Sequence, residues 1–282
     1  MIAYLNKFLN WILYTSIFAA ACAVCLAMAT ERLFLGTNSN TVTMLHILIF
    51  GGVLVVYNIH FLLKKSTPDL SDRFGWSQHY RVWHFLAIAV GIALVVTGLY
   101  AMPHSIITAC VVLGILSFAY SIPLLPLPGK KRLKDYGWVK IIVLSSVWTI
   151  VTCVLPILYH DKTLSAYPFE IAIRFVLLFS LCMAFDIRDM QTDTEAGIYT
   201  IPNRIGLRKS YMLIDVSVIL FIAFSFIQYL RYPSLSRIVA ECITAIVIKA
   251  VIQYAGKHSS DRVYLGLVDG VMMLYAVLIL VQ

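Results

Sequence analysis

Long apolar segments alternate with short charged connections along the whole chain. A membrane-spanning helix requires about 20 predominantly apolar residues. Nine segments approach that length, at about residues 8–29, 43–63, 83–101, 105–125, 138–158, 168–187, 211–230, 235–255 and 263–281. The short alternating pattern of a membrane β-barrel is not seen. The pattern therefore predicts an all-α integral membrane protein with nine transmembrane helices.

The composition supports this class and excludes an ordinary soluble domain. Of the 282 residues, 61% are hydrophobic and 13% are charged, and the mean hydropathy is +0.87. A soluble domain carries about 25% charged residues. The segment at 8–29 follows Lys7 and resembles a signal peptide, but it exceeds the apolar core of about 7–15 residues. We therefore predict that it is the first membrane helix of a single domain, residues 1–282.

Lys and Arg are unevenly distributed between the connections. The net charge of +8 does not indicate nucleic-acid binding here, because in a membrane protein the position of the basic residues sets orientation. The connections after even-numbered spans hold most of them: Lys64, Lys65, Arg73, Arg81; Lys130, Lys131, Arg132, Lys134; Arg188, Arg204, Arg208, Lys209; Lys257, Arg262. We expect a multi-pass protein of a bacterial inner membrane, with these loops in the cytoplasm.

An acidic block follows the sixth span. The segment "FDIRDMQTDTEAGIYTIPNRIG" holds Asp186, Asp189, Asp193 and Glu195, in a chain with 14 Asp and Glu. The first three are spaced to lie on one face of a helix. A solvated helix end is one interpretation. The other is a Mg²⁺ site, because Mg²⁺ is often held by one or two carboxylates plus substrate phosphates, and the basic loops would bind the remaining phosphate charge.

The same segment carries a resemblance to a known family. "RDMQTDTEAGIYTIPNRIG" resembles the second aspartate motif of the UbiA superfamily of intramembrane prenyltransferases, approximately D-x-x-x-D-x-x-x-G-x-x-T-(L/I)-x-x-x-x-G. Its positions are occupied by Asp189, Asp193, Gly197, Thr200, Ile201 and Gly206. "YSIPLLPLPGKKRLKDYGWVK", residues 120–140, is similar to the exit of the family's fourth helix. The nine spans agree with the family's count, so the resemblance covers essentially the whole chain.

The resemblance implies a helical bundle around a central cavity. Two aspartate motifs at its mouth would bind an isoprenyl diphosphate through Mg²⁺, and an aromatic or other lipophilic acceptor would attack the allylic cation. On this basis we predict Asp186, Asp189 and Asp193 as catalytic residues, with Asp189 and Asp193 binding the metal. The predicted substrate contacts are Asn58, His60, Lys65, Tyr120, Lys131, Arg132, Arg188 and Arg204. Four aromatic residues either line the cavity or simply pack in the bundle: Tyr57, Tyr120, Trp148 and Tyr275.

The first aspartate motif of the family, N-x-x-x-D-x-x-x-D, is degenerate here. Asn58 is present, but Leu62 and Ser66 occupy the acid positions. When the two halves are aligned as pseudo-repeats, "YNIH" lies against "FDIR", which again leaves the first site without acids. Asp69 and Asp72 lie further on, as substitutes or as loop acids. With fewer carboxylates, we expect the diphosphate to depend more on cations, with Lys64, Lys65 and Arg73 as local candidates.

Two functions follow from these observations. The first is a diphosphate-dependent prenyltransferase, with transfer of a phosphorylated sugar onto a polyprenyl phosphate as a variant. The second is a non-catalytic descendant that binds a lipid or a membrane partner. The intact second motif favours the enzyme, and the degenerate first motif favours the binding protein.

Overall fold

The structure is a computed structural model that describes residues 2–36, 41–63, 72–122 and 132–282. Within these residues it contains helices and no strand, which confirms the predicted all-α fold. The α-helices are α1 (Ile2–Tyr14), α2 (Ile17–Leu35), α3 (Met44–Leu63), α4 (Asp72–His79), α5 (Arg81–Tyr100), α6 (His104–Ser121), α7 (Gly137–Thr149), α8 (Leu155–Tyr159), α9 (Pro168–Arg188), α10 (Met190–Glu195), α11 (Ile201–Ile205), α12 (Leu207–Arg231), α13 (Leu235–Ala255) and α14 (Asp269–Leu280).

Among the described residues, eight helices have the length and apolar composition of a membrane span. A π-helical segment, Ile150–Val154, joins α7 and α8 into one span, and a second, Val263–Val268, precedes α14. The eight are Ile17–Leu35, Met44–Leu63, Arg81–Tyr100, His104–Ser121, Gly137–Tyr159, Pro168–Arg188, Leu207–Arg231 and Val263–Leu280. The remaining predicted span corresponds to α13, a 21-residue helix that contains charged residues. The predicted count of nine is therefore approximate.

The prediction of one continuous helix over residues 8–29 is wrong. Helix α1 ends at Tyr14 and α2 begins at Ile17, and Ser16 between them has a left-handed backbone with φ of 63°. The spanning helix is α2, which begins nine residues later than predicted. Because the chain is apolar on both sides of the break, hydropathy gives no signal for it.

Side chains from later in the chain stabilise this break. The carbonyl groups at the end of a helix lack helical partners and need other donors. The Asn58 amide donates to the carbonyl oxygen of Thr15 at 2.9 Å. The Arg73 guanidinium donates to the carbonyl oxygen of Tyr14 at 3.0 Å and to Ser16 Oγ at 2.8 Å. The break is therefore a tertiary feature, made by α3 and α4.

A buried arginine joins three of the spanning helices. Pro156 has no N–H, so the carbonyl of Thr152 loses its helical partner. That carbonyl accepts hydrogen bonds from Thr30 Oγ1 at 2.9 Å and Arg174 Nη1 at 3.1 Å. Arg174 also donates to the carbonyl oxygen of Leu26 at 3.0 Å, and its side chain is fully buried. These bonds connect α2 and α9 to the irregular segment that follows α7.

The same arginine belongs to an ionic network that also includes α13. Arg174 lies 3.5 Å from Glu170, and Arg237 pairs with both Glu170 and Glu241. The two glutamates are 1% exposed. Buried charges are costly unless they are paired, and here each glutamate has a basic partner. The network holds α9 and α13 together at the end of the bundle where α9 begins.

The acidic block lies at the other end of α9. Asp186 follows Arg174 by twelve residues, which corresponds to about 18 Å along a helix. We call this end the carboxylate end. It is formed by the last turns of α3, α6 and α9 and the first turns of α7 and α12.

Candidate active site

Asp186 and Asp193 converge on one ammonium group. Lys140 Nζ lies 3.0 Å from Asp186 Oδ1 and 2.7 Å from Asp193 Oδ2. The three side chains are at most 15% exposed. Lys140 is in the first turn of α7, Asp186 in the last turn of α9, and Asp193 in α10. We call these three residues the carboxylate cluster.

The carboxylate cluster has spare capacity for a cation. Asp186 Oδ2 is buried and has no hydrogen-bond partner, which is unusual for a buried polar atom. Burial raises the pKa of Asp193, and the charge of Lys140 opposes this shift. Among the described residues, no group of three or more His, Cys, Asp or Glu side chains forms a complete metal site. The cluster fits Mg²⁺, which is commonly held by one or two carboxylates and completed by phosphate oxygens and water.

Asp189 lies beside this cluster and pairs with Arg188. Arg188 Nε donates to Asp189 Oδ1 at 2.7 Å, and Arg188 Nη1 donates to Asp261 Oδ1 at 3.4 Å. Helix α9 ends at Arg188 and α10 begins one residue after Asp189, but helical hydrogen bonds continue through the junction, because the Asp193 N–H donates to the carbonyl oxygen of Asp189 at 2.8 Å. The charge of Asp189 acts on Lys140, Asp186 and Asp193. The three acids therefore lie near one another, with Asp186 and Asp193 in contact with Lys140 and Asp189 in contact with Arg188.

A close backbone contact positions Lys140. A Cβ atom on Gly137 would lie 1.7 Å from the carbonyl oxygen of Tyr199 and 2.6 Å from the backbone nitrogen of Thr200. Glycine at this position lets the start of α7 contact the connection that follows α10. Lys140 comes one helical turn later, and this places its ammonium group beside Asp193.

The two glycines of the acidic motif occupy turns. Gly197 has φ of 72° and Gly206 has φ of 81°, in the region that glycine adopts more readily than other residues. Gly197 ends the turn after α10, where the Ile198 N–H donates to the carbonyl oxygen of Asp193 at 2.7 Å. Gly206 separates α11 from α12. The glycine spacing thus reflects two changes of chain direction.

His60 and Tyr120 lie near the carboxylate cluster. His60 Nδ1 is 3.0 Å from Ser121 Oγ, and its ring centroid is 6.4 Å from that of Tyr120. The Tyr120 hydroxyl is within electrostatic range of Lys140 and Asp186. These contacts bring the ends of α3 and α6 to the same site.

Asn58 is held by three protein contacts. Its amide nitrogen donates to the carbonyl oxygens of Thr15 and Leu54, and its oxygen lies 2.6 Å from His84 Nδ1. Asn58 and His84 are both fully buried. Because an amide has two donor hydrogens and an oxygen with two lone pairs, both donors of Asn58 are used and its oxygen can accept one further contact.

Of the remaining predicted substrate contacts, two have partners near them in the chain and two lie outside the described residues. Arg132 is paired with Asp135 at 2.8 Å. Arg204 is exposed, and its Nε donates to the carbonyl oxygen of Tyr199 at 3.2 Å. Lys65 and Lys131 lie outside the described residues.

A comparison with models of protein families shows to which family this chain belongs. The UbiA prenyltransferase family model matches residues 77–265. This chain belongs to the UbiA prenyltransferase family. The matched region contains the second aspartate motif and begins after α3, where the first motif is degenerate. No match was found among curated proteins.

Solved structures of UbiA proteins share the fold. A UbiA homolog from Archaeoglobus fulgidus bound to GPP and Mg²⁺ has a TM-score of 0.63 at 12% identity, covering 97% of this chain and 100% of that chain. The same homolog bound to Cd²⁺ has a TM-score of 0.58 at 12% identity, with the same coverage. A structure of digeranylgeranylglyceryl phosphate synthase has a TM-score of 0.56 at 12% identity and covers 98% and 100%. At this identity the likeness is one of fold.

The candidate site contains three residues outside the predicted set of site residues: Lys140, His84 and Asp261. A signal for Lys140 is available, because it is a lysine at the start of an apolar span, and ionisable residues within membrane spans are commonly functional. His84 lies, like His60 and His79, near the charged end of a span, which makes one of these histidines a candidate phosphate contact or base, but its bond to Asn58 depends on helix packing. Asp261 has no such signal, since its role depends on contacts between distant helices.

Replacing Lys140 with methionine tests the metal capacity of the cluster. Without the ammonium group, Asp186 and Asp193 are buried together without a counter-charge, and breaking a buried pair costs about 3–5 kcal/mol. We expect Lys140→Met to lower the melting temperature in EDTA and Mg²⁺ to restore much of the loss. Thermal unfolding in detergent with and without Mg²⁺ measures this. Equal Mg²⁺ responses in parent and variant would argue against a cation site at these two carboxylates.

Proposed function

We propose that this protein is an intramembrane prenyltransferase that transfers an isoprenyl group from its diphosphate to an aromatic or other lipophilic acceptor. The observation that carries the proposal is the carboxylate cluster, in which two acids and a lysine meet around an unpartnered carboxylate oxygen. The related A. fulgidus structures bound to GPP and Mg²⁺ or to DMAPP and Mg²⁺ support an isoprenyl diphosphate as the donor.

In this proposal Asp186 and Asp193 hold Mg²⁺, with diphosphate oxygens and water completing its coordination. This assignment adds Asp186 to the predicted ligands, and Asp189, which pairs with Arg188 and whose charge acts on the same cluster, stays a predicted ligand. The metal supplies stabilisation for the negative charge that grows on the leaving diphosphate. Lys140 donates charge-assisted hydrogen bonds to the same anion.

The reaction is a substitution at the allylic carbon. The bond from this carbon to the diphosphate oxygen breaks, and both electrons leave with the diphosphate. A nucleophilic atom of the acceptor bonds to the allylic carbon and loses its proton to the released diphosphate or to water. Trp148 Nε1 donates to the Tyr57 hydroxyl at 2.9 Å, and the faces of these rings and of Tyr120 are suited to stabilise the cation. Tyr275 lies instead beneath Arg174, at 5.4 Å.

A transfer assay tests the proposal. Purified protein in lipid nanodiscs is incubated with Mg²⁺, a series of labelled isoprenyl diphosphates and membrane lipid extract. We expect a labelled lipophilic product, an equal amount of released diphosphate, and loss of both in EDTA. Asp193→Asn is the matched inactive control. Absence of product with every donor, in protein that binds the donors, would contradict the assignment as a transferase.

The second candidate is a binding protein that keeps the diphosphate site without transfer. The degenerate first motif favours it, because Asn58 has given both of its donors and one lone pair of its oxygen to protein contacts and no acid stands at the motif's other positions. The same assay separates the candidates, since a binding protein retains the intact diphosphate. A phosphorylated sugar with a polyprenyl phosphate forms a further arm of the assay, for the variant reaction.

We also propose that the carboxylate end faces the cytoplasm of a bacterial inner membrane, as the Lys and Arg bias indicates. In a cysteine-free background, Lys209→Cys should react with an impermeant thiol reagent only after the cells are permeabilised. Ser236→Cys, exposed at the opposite end of the bundle, should react in intact cells. The reverse labelling pattern would overturn the orientation.

A further inference from the structure

We infer that the α3–α4 side of this site holds the diphosphate through the guanidinium of Arg73 and takes no second Mg²⁺ ion. The inference rests on the proposed function, because it assumes an isoprenyl diphosphate as the ligand. It assigns to Arg73 a binding role that replaces the first acidic motif.

Helix α3 offers no carboxylate to a metal. Its sequence, Met44–Leu63, contains no Asp or Glu. Asn58 already uses both donors, and its oxygen contacts His84 through one of two lone pairs, so it offers a metal at most a single neutral oxygen. Asp72, the nearest described acid that follows α3 in the chain, is exposed at the start of α4. Mg²⁺ requires oxygen ligands, so the described part of this side does not fit a second ion.

The side chain of Arg73 lies on the α3–α4 side of the site. Its side chain is 6% exposed, and its guanidinium carbon lies 3.6 Å from the centre of the Phe61 ring. In the alignment of the two halves, Phe61 corresponds to Asp189. A guanidinium therefore sits against the aromatic residue that replaces an acid of the second motif.

The charge of Arg73 is only partly compensated. Its Nη2 donates to two neutral oxygens, those of Tyr14 and Ser16, and its Nε is buried without a hydrogen-bond partner. The carboxylate of Asp261 accepts a hydrogen bond from the backbone N–H of Arg73 at 2.8 Å. Burial lowers the pKa of Arg73 to about 10, against the effects of Asp261 and of Asp269, a second acid whose charge acts on Arg73. An anion that reaches Nε would satisfy the unpaired donor and balance the charge.

Two connections relate Arg73 to the carboxylate cluster. Asp261 accepts from the Arg73 backbone through Oδ2 and from Arg188 through Oδ1, and Arg188 follows Asp186 by two residues. Tyr57 is within electrostatic range of both Arg73 and Tyr120, and Tyr120 is in range of Lys140. Asp261, Arg188 and Tyr57 thus connect Arg73 to the carboxylate cluster, and our inference places the diphosphate between them.

A purely structural role for Arg73 gives a different expectation. Its bonds to Tyr14 and Ser16 stabilise the break between α1 and α2, and this clamp alone would account for its burial. Ser16→Gly removes the hydroxyl partner and keeps the charge, and the φ of 63° suits glycine. If Arg73 only stabilises the break and does not bind the diphosphate, Ser16→Gly and Arg73→Gln should weaken diphosphate binding to the same extent. Binding by Arg73 predicts that Arg73→Gln alone has a large effect.

The experiment uses the full chain in detergent with a non-hydrolysable isoprenyl diphosphate analogue and Mn²⁺ in place of Mg²⁺. Equilibrium dialysis counts bound Mn²⁺ per chain, and calorimetry gives the analogue affinity. We expect about one Mn²⁺ per chain. Arg73→Gln should lower the affinity about 10- to 100-fold at unchanged Mn²⁺ stoichiometry, with partial recovery in Arg73→Lys, and Ser16→Gly should stay within about threefold of the parent.

The outcomes separate this inference from the proposed function. Two Mn²⁺ ions per chain, or equal losses in Ser16→Gly and Arg73→Gln, would overturn the role of Arg73 while leaving the diphosphate site intact. Where Arg73→Gln fails to fold, the Mn²⁺ count and Arg73→Lys decide. A parent protein that binds no analogue, with or without Mn²⁺, would overturn both the proposed function and this inference.

Discussion

Asp193→Asn should abolish Mg²⁺-dependent binding of an isoprenyl diphosphate, with an affinity loss of at least about 100-fold. Residues that hydrogen-bond to metal ligands already contribute about 10- to 100-fold to metal affinity. A residue that binds the metal directly should contribute more. Asp193 is also one of the two acids that hold Lys140, at 2.7 Å. Asp186→Asn should have a similar effect, because its unpartnered Oδ2 is the open ligand of the cluster.

Glu195→Gln is the matched control for this prediction. Glu195 lies on the same short helix, α10, but is exposed and hydrogen-bonded to Gln191. It also carries one negative charge, so the comparison separates position from charge. Calorimetric titration with the analogue, with and without Mg²⁺, provides the measurement. Equal affinities in Asp193→Asn and Glu195→Gln would show that the carboxylate cluster is not the diphosphate site.

Gly137→Ala should damage both folding and binding. The added methyl group would lie 1.7 Å from the carbonyl oxygen of Tyr199, and backbone on both sides leaves no side chain that can move aside. Overpacking typically costs about 1–3 kcal/mol. Because α7 must shift to relieve the clash, Lys140 should also lose its alignment with Asp186 and Asp193. We expect a lower melting temperature and weaker diphosphate binding.

Gly114→Ala provides the comparison for Gly137→Ala. Gly114 lies within α6, and a Cβ atom there would meet no heavy atom within 4 Å. Alanine is favoured over glycine in a helix by about 0.5–1 kcal/mol, so this variant should be neutral or slightly more stable. Thermal unfolding and analogue titration of both variants complete the test. Similar behaviour of the two alanine variants would mean that the contact at Tyr199 does not position α7.

The predicted spans show where sequence reasoning succeeds in a membrane protein. A helix in lipid must satisfy its backbone hydrogen-bonding groups internally and present apolar side chains to the lipid. The length of an apolar segment therefore predicts most of the helices. The exception, residues 8–29, fails for a specific reason. Apolar composition is the same before and after Ser16, and the break exists because Asn58 and Arg73 supply donors from elsewhere in the chain.

The sequence by itself determined the membrane class, most of the helices and the family, because these depend on local composition and on one contiguous motif. It also indicated the acidic block as the chemical centre. Only the tertiary structure decided which acids converge. Asp186 and Asp193 meet at Lys140, a residue from another helix, while Asp189 pairs with Arg188 beside them. Spacing along a helix does not reveal such contacts, because they depend on how separate helices pack and on where α9 ends.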